Sequence, residues 1–179
     1  MSDNMKNPNI NNNPVEMHVA GVDGCRGGWL CVDERDGELT GRIFNTFKEL
    51  LDALPTASIV AVDIPIGLPE QGKRECDIAA RYHLGRPRAS SVFPTPALGI
   101  LHEEIYSVAN LKHRDIDGRG LSRQAFAILP KIRDVNLLLQ PNPALQQRVR
   151  EIHPEVCFAF WNWGVPMQHR KASREGQAE

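Results

Sequence analysis

Apolar residues fall at strand spacing in the first part of the chain and at helix spacing in much of the rest. The run His18-Val19-Ala20-Gly21-Val22-Asp23-Gly24 leads through a Gly-Cys-Arg-Gly-Gly turn, Gly24 to Gly28, into a second apolar run, Trp29-Leu30-Cys31-Val32. Two such runs joined by a glycine-rich corner predict a hairpin. A further turn signal, Asp33-Glu34-Arg35-Asp36-Gly37, precedes a third strand expected over Glu38 to Phe44. Phe47, Leu50, Leu51 and Leu54 then recur at helical spacing, and Pro55 stops that helix. The run Ser58-Ile59-Val60-Ala61-Val62-Asp63-Ile64-Pro65 is the fourth strand. A meander, one helix, and a strand returning parallel to the first predict a mixed sheet with helical cover.

Further along, Lys73 to Leu84 reads as a helix with Cys76, Ile78, Ala79 and Tyr82 inward, and Ser90 to Gly99 as a proline-broken loop. Phe126, Leu129, Ile132, Val135, Leu138 and Leu139 define an amphipathic helix over Ser122 to Leu139, capped by Ser122 and carrying Pro130 inside it. Val149 to His153 is a candidate fifth strand, and Pro154 opens a helix running through Trp161. No internal repeat is visible.

The length of 179 residues and an apolar content of 41% suit one domain with an ordinary core. Residues 15–179 are expected to form it, after a disordered leader: Met1 to Pro14 hold six asparagines and too little apolar surface to offset the entropy of ordering. The polar tail from Arg170 to Glu179 is expected to be flexible. A net charge of −1 gives no whole-molecule field, so any phosphate-binding surface has to be local. Cys25, Cys31, Cys76 and Cys157 form no CxxC pair and are expected to be reduced, two or three of them buried. No stretch approaches the ~20 apolar residues of a membrane span, and no secretory leader is visible; a cytoplasmic protein without membrane attachment is expected.

Asp23 and Asp63 draw attention because each stands where an apolar run meets a turn. On neighbouring strands, whose backbones lie about 4.8 Å apart, both carboxylates reach one hard divalent cation or a pair of them. The bland alternative makes each a turn former. Glu151 follows as the better third ligand, since strand alternation puts Val149, Glu151 and His153 on one face and only part of that face can be core. Glu155 is the understudy, with a first-turn helix carboxylate as its ordinary role. His153 is read as structural before it is read as a ligand or proton shuttle. Arg26 is expected to lean over the cleft from its glycine turn. Arg74, Asp77 and Arg81 share one helix face, either as a surface ion-pair ladder or as phosphate contacts beside the carboxylates. Lys131 and Arg133 are read as solvated. No zinc spacing, nucleophile elbow or phosphate-loop Gly-Lys-Ser/Thr occurs.

Gly21-Val22-Asp23-Gly24-Cys25-Arg26-Gly27-Gly28-Trp29, Val62-Asp63-Ile64-Pro65-Ile66-Gly67-Leu68-Pro69, Arg74-Glu75-Cys76-Asp77 with Arg81, Leu121-Ser122-Arg123-Gln124-Ala125, and Glu151-Ile152-His153-Pro154-Glu155 together resemble a known pattern. It is that of the family called domain of unknown function 429, described as predicted RNase H-like nucleases. The resemblance runs from about Gly21 to Lys171. It implies an α/β fold of RNase H type, in which acidic residues on the first and fourth strands hold divalent metal for phosphodiester hydrolysis. Carried over, these are Asp23 and Asp63, with Glu151 or Glu155 next. Mg²⁺ or Mn²⁺ ions ~3.5–4 Å apart would then stabilise the attacking and leaving oxygens. Nucleic acid is the implied partner, with Arg26, Arg74, Arg81 and the loop Arg86 to Arg88 as its basic track. Members of the family continue into further helices with an Asp-Asp-x-x-Asp-Ala-like segment. None follows Lys171 here, so the expectation is a shortened form, a final ligand supplied from elsewhere, or no hydrolysis, and a homodimer covering the exposed sheet is a further expectation. The competing expectations are a catalytically silent binding domain and, less favoured, a phosphotransferase-related domain.

Overall fold

The computed structural model describes residues 18–35, 37–169 and 172–178. The expected leader over 1–14 lies outside the described residues. Among the described residues, five strands form one sheet in the order β3-β2-β1-β4-β5. They are β1 (Val19–Cys25), β2 (Gly28–Arg35), β3 (Glu38–Phe44), β4 (Ile59–Val62) and β5 (Val149–Glu151). The first three run antiparallel, and β4 and β5 then join parallel, as the meander followed by a helical crossover predicts. The hairpin corner needs glycine at position 28: φ is +124°, and a Cβ there would stand 2.0 Å from the Phe44 carbonyl oxygen.

Helix α1 (Phe47–Ala53) starts at Thr46, whose side chain accepts a hydrogen bond from the Glu49 amide. Its buried residues, Phe47, Leu50 and Leu51, join Ala20, Val22, Trp29, Cys31, Val60 and Val62 of the strands in one core. Leu129, Ile132, Val135 and Leu139 of α5 (Leu129–Leu139) complete it. Each such side chain contributes about 1.5–3 kcal/mol on burial. Asp134 ties three elements at this point: one of its oxygens accepts from Trp29 Nε1 at 2.8 Å and from the Phe47 amide at 3.0 Å.

The amphipathic stretch expected as one helix is two, α4 (Arg123–Ala127) and α5, broken at Ile128. Pro130 does not kink a continuous helix; it sits in the first turn of the second one, where its missing N–H removes no helical bond. Ser122 caps α4 as expected, accepting from the Ala125 amide at 3.0 Å.

Helix α2 (Glu75–Arg88) overturns its expected face. Ile78 and Tyr82 are 52% and 90% exposed, Cys76 and Ala79 also face solvent, and the buried residues are Asp77 and Leu84. The reason is polar anchoring: Asp77 accepts from Arg74 and from Thr95 Oγ1, the latter at 2.7 Å, and turns that side of the helix inward. The helical path breaks at Gly85 and Arg86. Just before the break, Leu84 packs with Val92 and with Ala159 of α7 (Pro154–Trp161) in a second small cluster.

The chain also carries α3 (Tyr106–Asp117) and α6 (Pro143–Arg148), neither of which the apolar spacing announces. The expected flexible tail contains a short helix, α8 (Arg174–Ala178). All four cysteines are free, but only Cys31 is buried, fewer than the composition suggested. Among the described residues no helix is long and apolar enough to cross a membrane.

Candidate functional site

Strands β1 and β4 pair in parallel with Val22 opposite Val62, and the Asp63 amide continues the ladder by donating to the Val22 carbonyl at 3.1 Å. Asp23 and Asp63 are therefore the next residues on adjacent strands. Asp23 does not end its strand: β1 continues to Cys25, and Asp23 is paired across the hairpin with Leu30. Both carboxylates line a cleft of ≈ 190 Å³ whose walls include Lys131, Glu151 and His153. Asp23 is exposed to solvent and Asp63 half-buried. The core residues Val22 and Val62 fix the backbone beneath them, so this juxtaposition rests on the packed centre of the sheet.

Glu151 ends β5 opposite Val62 and reaches the same cleft, but its oxygens are taken. Oε1 accepts from Arg74 Nη2 at 2.7 Å, while Oε2 accepts from Arg74 Nη1 at 2.7 Å and from the Ile66 amide at 2.8 Å. Arg74 also donates to the Ile66 carbonyl at 3.0 Å and to both Asp77 oxygens, at 3.1 and 2.5 Å. Burial works to lower the Arg74 pKa, but the hydrogen bonds and charges of Glu151 and Asp77 outweigh it and raise it above the ordinary arginine value. The unit is a fork-to-fork ion pair that staples the segment after Asp63 to β5 and α2. Neighbouring Cys76 is no activated nucleophile: partial desolvation of an otherwise exposed side chain pushes its thiol up, and the carboxylates of Asp77 and Glu151 add to that against the opposing charge of Arg74.

The remaining expected residues divide. Glu155, in the first turn of α7, faces Arg88 Nη1 at 3.8 Å and lines a different, larger cleft. Arg81 donates to the Val92 carbonyl and so anchors a loop. Arg26 stays exposed at the hairpin tip and is not among the residues lining the Asp23 cleft. Among the described residues, no three histidine, cysteine, aspartate or glutamate side chains form a group that could hold a metal ion. Asp23 and Asp63 sit on neighbouring strands at one cleft, and Glu151 is committed to Arg74.

The sequence profile of a family described as a protein of unknown function, DUF429, matches residues 21–179. The chain belongs to the DUF429 family. No curated protein and no solved structure matches it. The match begins two residues before Asp23 and contains every site residue discussed above.

Lys131 and Gln124 of this DUF429 chain enter the site although sequence reasoning gave them no such part, and His153, read there as structural first, enters it too. Lys131, read as solvated, lies with Nζ 4.5 Å from the centre of the Trp29 ring and donates to the Gly28 carbonyl at 2.5 Å. Its position on α5 beside the buried Leu129 and Ile132 was the available signal. His153 precedes α7 and lines both clefts, with Nδ1 buried and without a hydrogen-bond partner. Gln124 also lines both. The larger cleft, ≈ 990 Å³, adjoins the smaller one: Asp63, Phe93, Gln124 and His153 line both, while Asp23 lines the smaller one.

Proposed function

We propose that this DUF429 chain is an RNase H-like phosphodiester hydrolase that acts on nucleic acid and depends on Mg²⁺ or Mn²⁺. The observation that carries the reading is the pair Asp23 and Asp63, side by side on adjacent strands and facing one cleft. The strand order β3-β2-β1-β4-β5, antiparallel then parallel, is consistent with it. The donor set fits one hard cation, because Mg²⁺ is commonly held by one or two carboxylates with waters and substrate phosphate filling the other positions. It does not fit the two-ion arrangement with Glu151 as a ligand, since Arg74 and the Ile66 amide occupy both Glu151 oxygens.

A bound ion would supply positive charge at a phosphoryl oxygen and a more acidic water. The protein's own groups do the rest. Asp23 and Asp63 bind the ion. Lys131, held over Trp29, places a fixed ammonium at the cleft wall where phosphate charge has to be balanced. The Arg74–Glu151 pair keeps the segment around Ile66 in place and so keeps Asp63 beside Asp23.

A silent binding domain is the second reading, and the neutralised Glu151 favours it. Calorimetric titration with Mn²⁺ separates the two. The hydrolase reading expects saturable binding that disappears in an Asp23→Asn, Asp63→Asn double variant. A wild-type chain that takes up no metal at millimolar concentration leaves the silent domain standing.

A further inference from the structure

Beside the carboxylate pair, the ≈ 990 Å³ cleft has a wall made of aromatic rings. Phe158 and Trp161 project from α7 with ring centroids 6.1 Å apart and planes at 48°, and they are 45% and 81% exposed. Phe93 stands in the same lining. The helix is not free to bury these rings elsewhere, because Ala159, fully buried, and Val156 pack it on Leu84 and Val92. The size falls in the upper part of the roughly 300–1,000 Å³ range of sites that enclose small organic groups. Amides from Gln124 and Asn162 line it as well. Behind this lining, Arg88 donates from Nε to the carbonyl of Met167, one of the lining residues, at 2.7 Å and so braces the wall. Aromatic faces and amide edges in a cleft that Asp63 also lines match the ring and the edge of a nucleobase.

We infer that this cleft is a stacking site for an unpaired nucleobase, so that the strand engaged at Asp23 and Asp63 is single-stranded. The inference rests on the hydrolase reading only for what happens at the carboxylates; the stacking itself needs no metal. Bases inside a duplex are stacked on one another and present only their edges, so they do not lie flat on Trp161 or Phe158. A single strand turns its bases outward, and stacking on aromatic rings tolerates any base because every base has a π face. Asp63, Phe93, Gln124 and His153 line both clefts, which places a stacked base next to the space where its adjoining phosphodiester would meet the carboxylates.

The test is fluorescence anisotropy with a labelled short oligodeoxythymidine, the same sequence as a blunt duplex, and thymidine monophosphate as a competitor, all in EDTA so that binding is read without cleavage. Single strand is expected to bind at least about tenfold more tightly than duplex. Trp161→Ala is expected to weaken it about 5- to 150-fold, the range for loss of one stacked base. Trp161 is largely exposed, so its truncation leaves the fold intact, as circular dichroism checks. Phe158→Leu, which keeps apolar bulk but removes the ring, is expected to weaken binding less. Equal affinity for duplex and single strand, or a Trp161→Ala variant that binds as well as wild type, overturns the inference. So does sedimentation showing that Trp161 instead closes a dimer that the variant loses while oligonucleotide binding stays unchanged. Monophosphate competing as well as the oligonucleotide overturns the strand and leaves a mononucleotide site. The two readings fail separately: strand binding lost in Trp161→Ala without any Mn²⁺ uptake sinks the hydrolase alone, and Mn²⁺ uptake with indifferent Trp161→Ala sinks the stacking site alone.

Discussion

Asp33 and Asp23 stand on the same antiparallel ribbon, yet the protein treats them in opposite ways. Asp33, on β2, is 1% exposed and clasped: His18 Nε2 lies 3.2 Å from Oδ2, while Thr40 Oγ1 and Arg42 Nη2 each donate to Oδ1 at 3.1 Å. Asp23, on β1, is exposed and faces a cleft. A buried carboxylate surrounded by donors is structure, because removing any donor leaves charge without solvent. A carboxylate held on a rigid strand but left to solvent is available to a ligand. Asp77 belongs with Asp33 by this test, while Glu151, which shares a cleft with Asp23 and Asp63, is partly exposed yet has both oxygens bonded.

The sharpest way to break that division is Arg74→Met. It removes the partner of two carboxylates at once, in a side chain only 9% exposed. Breaking a well-buried pair costs about 3–5 kcal/mol, and the 29% exposure of Glu151 moderates the loss to roughly 2–4 kcal/mol. Urea unfolding measures it. A loss under about 0.5 kcal/mol, the size typical of a neutral surface change, would return Glu151 to the ligands. Asp33→Asn comes next, at about 2 kcal/mol, because the isosteric amide keeps its volume and forfeits charge-assisted bonds.

The strands were legible in the sequence because each is a short apolar run bounded by glycine or a polar turn, and β3 falls on Glu38–Phe44 as the pattern predicts. Asp23 and Asp63 follow from the same logic. The face of α2 was not legible: its orientation is set by Arg74, Asp77 and Thr95, and a polar anchor leaves no apolar period to read. Helix α3 hid for a similar reason, since its buried residues are Ala109 and His113, the latter bonded through Nδ1 to the Arg119 carbonyl. The commitment of Glu151 to Arg74 spans 77 residues of sequence. Strand alternation could say that Glu151 needed a partner, but not that an arginine and a backbone amide would be that partner.

Asp117 offers a smaller test with a pH signature. It is 2% exposed in its side chain and accepts from the Gly72 amide at 2.7 Å and Arg119 Nε at 2.5 Å. Burial alone would raise its pKa, but those bonds and the charge of Arg119 hold it below the usual value of 3.8. A carboxylate with a depressed folded pKa adds stability that is present above the unfolded value and fades as pH falls through the folded one. Asp117→Asn is therefore expected to cost about 1–2 kcal/mol at neutral pH and to lose that difference in acid below about pH 4. A deficit that is the same at both ends would assign the cost to shape instead of charge.

Asp23→Asn is the smallest perturbation to the fold and the most informative about the site. Asp23 is exposed, and its backbone pairing with Leu30 does not depend on the side chain, so unfolding free energy should move by less than about 0.5 kcal/mol. Calorimetry on the same sample should nevertheless show the Mn²⁺ affinity reduced at least about tenfold, because one of two carboxylates that would hold the ion has lost its charge. Stability and binding thus move apart at Asp23, whereas at Arg74 stability falls first. An Asp23→Asn chain destabilised as much as Asp33→Asn, with metal uptake unchanged, would put Asp23 among the structural carboxylates and remove the basis for a cation at this cleft.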